Sequence, residues 1–161
     1  MSTPAQHDGS DRPNRIPWPP VLDVTTVVAA VALQRVWPLP ALFQPGPMRW
    51  LGWLTAAVGV AIGIAGVLHF RRIETPIDPT GRATRIATGG IYAWTRNPMY
   101  AGTVLMFAGL GIAWPSTWLV ALLPLLALGL FKLAIRREEA FLERRFGDEY
   151  RAYRQRVRRW F

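Results

Sequence analysis

The chain has no cysteine among its 161 residues, which excludes a disulfide framework and a thiolate nucleophile and leaves the redox compartment unmarked. Histidine is scarce as well. There are two, and His7 lies in a polar lead-in far from His69, so no metal site is expected. Acidic residues number 10 against 19 Lys and Arg. Charge of either sign is missing from two whole stretches. Trp50 to Phe70, 21 residues, contains no Asp, Glu, Lys or Arg, and neither do the 17 residues from Pro115 to Phe131. Each run is about the length of helix that crosses a hydrocarbon core near 30 Å thick.

The charge that is present sits around those runs. Nine of the Lys and Arg precede Asn97 and ten follow from Lys132 onward. A net charge of +9 can mark nucleic-acid binding, but cations gathered just beyond an apolar run read as an anchor to anionic lipid, so no nucleic-acid partner is expected. The first 15 residues are polar and rich in helix breakers, without the short apolar core of a signal peptide. Residues 1–20 are therefore expected to be a disordered polar N-terminus, and 21–161 a single membrane domain.

The fold class expected is all-α: an integral membrane helical bundle of about four transmembrane helices with a helical hairpin and a C-terminal amphipathic cytoplasmic helix. Helix one covers roughly Val21 to Trp37; short and carrying Asp23, Gln34 and Arg35, it is expected either to span at a tilt or to pack as a partly buried segment. Helix two runs from Trp50 to Phe70, with Gly59 and Gly63 one turn apart as a close-packing face. Helix three runs from Pro98 to about Trp114, and Trp-Pro-Ser-Thr turns the chain into helix four, about Thr117 to Ile135. Basic residues crowd the loop between helices two and three (Arg71, Arg72, Arg82, Arg85, Arg96) and the C-terminal tail, which places the middle loop and the C-terminus in the cytoplasm, in the inner membrane of the cell. In the tail, Leu142, Phe146, Tyr150, Tyr153, Val157 and Trp160 recur at helical spacing and predict one apolar stripe, lying on the membrane surface or against the middle loop.

A tight hairpin makes the cytoplasmic ends of helices three and four neighbours, so Asn97 and Tyr100 are expected near Glu138 and Glu139. Local rules read Asn97-Pro98 as an N-cap followed by proline at the first helical position. Gly90 permits close backbone approach, the helix start favours an anion and the paired glutamates favour a cation. A zwitterionic amino-acid moiety suits that set.

Several motifs then occur in order. They are Thr75-x-x-Asp78-Pro79, Thr88-Gly89-Gly90-Ile91-Tyr92, Arg96-Asn97-Pro98-Met99-Tyr100, Arg137-Glu138-Glu139 and Phe146-Gly147-Asp148-Glu149-Tyr150-x-x-Tyr153-x-x-x-Val157. Together, over about residues 70–160, they resemble the isoprenylcysteine carboxyl methyltransferase and phospholipid methyltransferase family. The resemblance implies a membrane-embedded methyltransferase that uses S-adenosylmethionine, releases S-adenosylhomocysteine and methylates a hydrophobic small molecule or lipid in the bilayer. Carried over by motif, Gly90, Ile91, Tyr92, Arg96, Asn97, Pro98, Tyr100 and Glu139 would bind the cofactor, while Arg137 and Glu138 would orient the acceptor. Two positions depart from the family pattern. Ile91 replaces the usual proline, and Asn97 stands where many members carry histidine, which moves that position from acid/base work to binding, since an amide does not titrate near neutral pH. Two other readings compete: a reductase using NADPH of the sterol reductase type, whose C-terminal region is similar, and a non-enzymatic lipid-binding protein.

Overall fold

In a computed structural model the described residues are 16–43, 46–74 and 85–160. Residues 1–15 of the N-terminal lead-in and the Thr75, Asp78, Pro79 and Arg82 positions of the middle loop lie outside them, while Trp18 to Pro20, expected in the disordered lead-in, form the first turn of a helix. Within them the chain is all-helical, as its charge-free runs require. Helix α1 is Trp18–Val36, α2 is Pro47–Arg72, α3 is Pro98–Ala113, α4 is Thr117–Phe146 and α5 is Asp148–Arg156. Prolines open the first three helices at N1 or N2, where a missing N–H costs nothing. Ser116 caps α4, its hydroxyl accepting from the Leu119 N–H at 3.4 Å.

α1, α2 and α4 are long and apolar enough to cross a membrane, and the 16-residue α3 is a shorter apolar helix. The chain is an integral membrane protein. Valines 24, 28 and 31 on α1 and Trp50, Leu54 and Ile64 on α2 are exposed, as side chains facing lipid should be. The central pair is α3 and α4, with α2 laid along α3 and α1 along α4. The core is a cluster of Tyr100 and Phe107 from α3 with Leu126, Leu130, Ala134 and Ile135 from α4.

Glycines set the α2–α3 distance, though at a different spacing from the expected one. A Cβ on Gly59 would stand 2.6 Å from the Gly102 carbonyl oxygen, and one on Gly52 would stand 2.8 Å from that of Gly109. A Cβ on Gly63 would meet nothing within 4 Å. The close-packing face is therefore Gly52 and Gly59, seven residues apart, meeting Gly109 and Gly102 in antiparallel order, because residues seven apart return to nearly the same face after two turns. Of the expected Gly59–Gly63 motif both backbones meet α3, since a Cβ on Gly102 would stand 2.6 Å from the Gly59 oxygen and 3.0 Å from the Gly63 nitrogen, but only at Gly59 would an added side chain collide.

α4 does not stop at Ile135. It is broken at Leu122, next to Pro124, and passes through a π turn at Leu130–Ile135 before continuing to Phe146. A π turn fits more residues per turn than an α-helix and so rotates the face presented after it. The next residues are Arg136 to Glu139. The tail is likewise not one amphipathic helix. Gly147, at φ 53°, breaks it between α4 and α5, a conformation that glycine adopts at no steric cost. Beyond α5 the chain is extended at Val157 and returns to the start of α3, where the Arg96 N–H donates to the Arg158 carbonyl at 2.9 Å. Of the two places expected for the tail, the stripe takes the middle loop: Tyr150 and Tyr153 are buried.

Candidate functional site at the polar end of the central hairpin

The loop entering α3 is folded onto the end of α2. Gly90 has φ +57° and a Cβ there would come 3.0 Å from His69 Nδ1, so a side chain is excluded on both backbone and contact grounds. This lets the short 3₁₀ turn Gly90–Ala93 seat Tyr92 against α2. The Tyr92 ring packs on His69, with centroids 5.5 Å apart, and edge-on to Phe70 at 5.3 Å. From the tail, the Tyr153 hydroxyl donates to the Tyr92 carbonyl at 2.8 Å.

The next residues are tied to the chain's last segment. Thr95 is fully buried, and its hydroxyl donates to the Arg159 carbonyl at 3.1 Å while accepting from the Asn97 N–H at 3.3 Å. Asn97 occupies the N-cap position of α3, yet its side chain makes no cap. Its Nδ2 donates instead to the Arg159 carbonyl at 3.2 Å. The amide is thus turned toward the extended tail, and the expected capping bond, which would need Oδ1 aimed at the helix N–H groups, is not made.

Two carboxylates from α4 face this end. Tyr100 donates its hydroxyl to Glu138 Oε1 at 2.5 Å, spanning the hairpin. Glu139 is clamped by two guanidinium groups. Arg159 grips it through both oxygens at 3.0 and 2.7 Å, and Arg96 Nη1 stands 3.2 Å from Oε1. A fork-to-fork arginine–carboxylate pair is both strong and geometrically specific. The Arg159 guanidinium is held above its usual range by its hydrogen bond to Glu139. Arg96 Nη1 also reaches the Tyr150 hydroxyl at 3.5 Å. Burial pushes the Tyr150 phenol up to about 12 and raises those of Tyr92 and Tyr153 as well, so all three remain neutral donors across the physiological range.

These side chains enclose a cavity of about 90 Å³ lined by Tyr92, Arg96, Asn97, Pro98, Tyr100, Glu138 and Glu139 among others. Seven of the ten residues singled out from sequence are thus brought together. Gly90 shapes the turn without lining the space. Ile91 is half-buried outside it. Arg137 stands on the exposed outer face of α4, beside Lys132, Arg136 and Arg144, so it does not share the cavity with Glu138. The structure adds Phe70, Arg85, Tyr150 and Tyr153 to the lining and Arg159 to its support. The tyrosines carried a periodic signal in the sequence, whereas nothing local distinguishes Arg159 from the nine other basic residues after Phe131.

Two lining atoms bear on what the cavity accepts. The Tyr92 hydroxyl and Arg96 Nε are buried without a hydrogen-bond partner. Buried polar groups are normally satisfied, and leaving one bare costs about 1–3 kcal/mol. A donor pair of this kind fits a carboxylate and the Glu138 acceptor fits an amino group, so the set suits a zwitterionic amino-acid moiety.

The molecule is therefore a membrane-embedded helical bundle with a charged, buried cavity at the polar end of its central hairpin. The phospholipid methyltransferase (PEMT) family matches residues 47–149, and the chain belongs to that family. An uncharacterized protein of Haemophilus influenzae is 51% identical over 43 residues, which are 27% of this chain and 65% of that protein. The chain thus spans just under two thirds of that relative's length. No solved structure matches.

Proposed function

We propose that the protein is an S-adenosylmethionine-dependent methyltransferase that methylates a hydrophobic or lipid-like acceptor, with the middle loop and C-terminus on the cytoplasmic side of an inner membrane. The observation that carries the reading is the pair of unpartnered buried donors, the Tyr92 hydroxyl and Arg96 Nε, in the same cavity as Glu138. When bound, the cofactor supplies an electrophilic methyl group on a sulfonium. The chain's residues bind and align. Arg96 and Tyr92 hold the carboxylate, Glu138, oriented by Tyr100, holds the amino group, and Glu139 fixes Arg96 in place through its own pairing. Asn97 carries no proton-transfer role, since its amide is engaged with the tail. The enclosed volume is below the roughly 300 Å³ of pockets that surround a whole drug-sized ligand, so it takes one end of the cofactor, and its polar lining matches the amino-acid end.

Alignment and exclusion of water are the main catalytic demands of such a displacement. The acceptor enters from the bilayer beside α2, α3 and α4, where no water competes. Titration of purified protein in detergent tests the reading. Saturable binding of S-adenosylmethionine or S-adenosylhomocysteine is expected, weakened at least tenfold in Arg96→Ala. Binding of NADPH in its place would favour the reductase reading, and binding of neither would leave a lipid-binding protein.

A further inference from the structure

The outer face of α4 carries a feature that the cavity does not use. Lys132, Arg136 and Arg144 recur at four-residue multiples, with Arg137 beside them and Ala140 filling the remaining place in the row. Residues four apart lie one above another on a helix. All four cations are exposed, and with Ala140 they line an open groove of about 350 Å³. None of the four has a carboxylate within 4.0 Å among the described residues, whereas Arg96, Arg151, Arg154 and Arg159 each do. Small Ala140 leaves the space between the long side chains open.

The same helix supplies an apolar counterpart. Leu125 and Leu128 are 65% and 46% exposed, and they lie one to two turns before Lys132 on a segment long and apolar enough to span a membrane. Exposed leucines below and unpaired cations above match one chemistry, an anion attached to acyl chains. Zwitterionic headgroups offer the row a phosphate already balanced by its own cation. An anionic headgroup leaves it unbalanced.

We infer that Lys132, Arg136, Arg137 and Arg144 form a docking groove for the headgroup of an anionic phospholipid, with its acyl chains against Leu125 and Leu128. The groove shares no lining residue with the cofactor cavity, so the two are separate. Ala140 holds the middle of the row open: a longer side chain there would fill the groove.

Native mass spectrometry of the full chain in detergent, equilibrated with phosphatidylglycerol or with phosphatidylcholine of the same acyl length, tests the assignment. Phosphatidylglycerol should be retained at least about tenfold more, since juxtamembrane cations each favour anionic lipid roughly fivefold. A Lys132→Gln/Arg136→Gln/Arg144→Gln variant should lose that preference to within about twofold and keep wild-type S-adenosylmethionine affinity. Should the variant not fold, the wild-type preference is measured again at high salt, where screening of exposed charges is expected to shrink it severalfold. Equal retention of both lipids by the wild type overturns the groove, as does a preference that survives the three substitutions or is indifferent to salt. Failure of S-adenosylmethionine binding in the wild type counts against the proposed activity and leaves the lipid result standing.

Discussion

The two faces of α4 at its polar end, a few ångströms of helix apart, solve opposite electrostatic problems. The inner face presents Glu138 and Glu139, each tied to a partner from another element, Tyr100 in one case and Arg96 with Arg159 in the other. The outer face presents Lys132, Arg136, Arg137 and Arg144, exposed and without carboxylate partners among the described residues. Charge on the inner face is positioned by the fold; charge on the outer face is available to the surroundings. The comparison teaches that net charge alone does not locate function here, since the excess of cations lies mostly where the cavity is not.

The comparison breaks most visibly at Glu139. Glu139→Ala leaves buried Arg96 without its carboxylate while Arg159, about a third exposed, can turn to water; loss of one member of a buried pair costs about 3–5 kcal/mol, and solvent around Arg159 brings the expected cost to the lower end of that range. Thermal unfolding in detergent should show a large drop, and a change no bigger than that of a surface substitution would mean the pairing is not what holds this end closed. Next in size is the crossing that sets how closely α2 approaches α3. Gly59→Leu drives side-chain atoms into the α3 backbone, and overpacking of this kind costs roughly 1–3 kcal/mol, read in the same melts, whereas Gly63→Leu, with open space around it, should cost far less. Tyr100→Phe removes the hydroxyl from Glu138 and should cost about 1–3 kcal/mol, with a loss of S-adenosylmethionine affinity measured by titration calorimetry. An unchanged affinity would take Glu138 out of the site. Smallest of all, Arg136→Gln with Arg144→Gln should stay within about 0.5 kcal/mol per substitution.

Much of the inner face was legible before any coordinates. A charge-free run long enough to cross a bilayer leaves little freedom, and the Trp-Pro-Ser-Thr turn forces the ends of the hairpin together, which is why Tyr100 and Glu138 meet as expected. The motif resemblance pointed to the same family that residues 47–149 match. Other features carried no local signal. Arg159 pairs with Glu139 because Gly147 turns the chain back, and a positive φ at one glycine is not marked by its neighbours. Arg137 was placed with Glu138 by adjacency in sequence, yet successive helical residues point about 100° apart, enough to put Glu138 in the cavity and leave Arg137 exposed outside it. Gly63 fits a small-residue pattern, but its face is decided by where α3 crosses.

The latch formed by residues 157–160 also has a consequence in time. Arg159 follows Asn97 by 62 residues, which at about 5–20 residues per second of synthesis is roughly 3–12 seconds. Throughout that interval Asn97 lacks the carbonyl it binds, and Glu139, made 20 residues before Arg159, lacks its second guanidinium for the last part of it. The polar end of the hairpin is therefore closed only once residues 157–160 have been made, whatever the state of the helices before them.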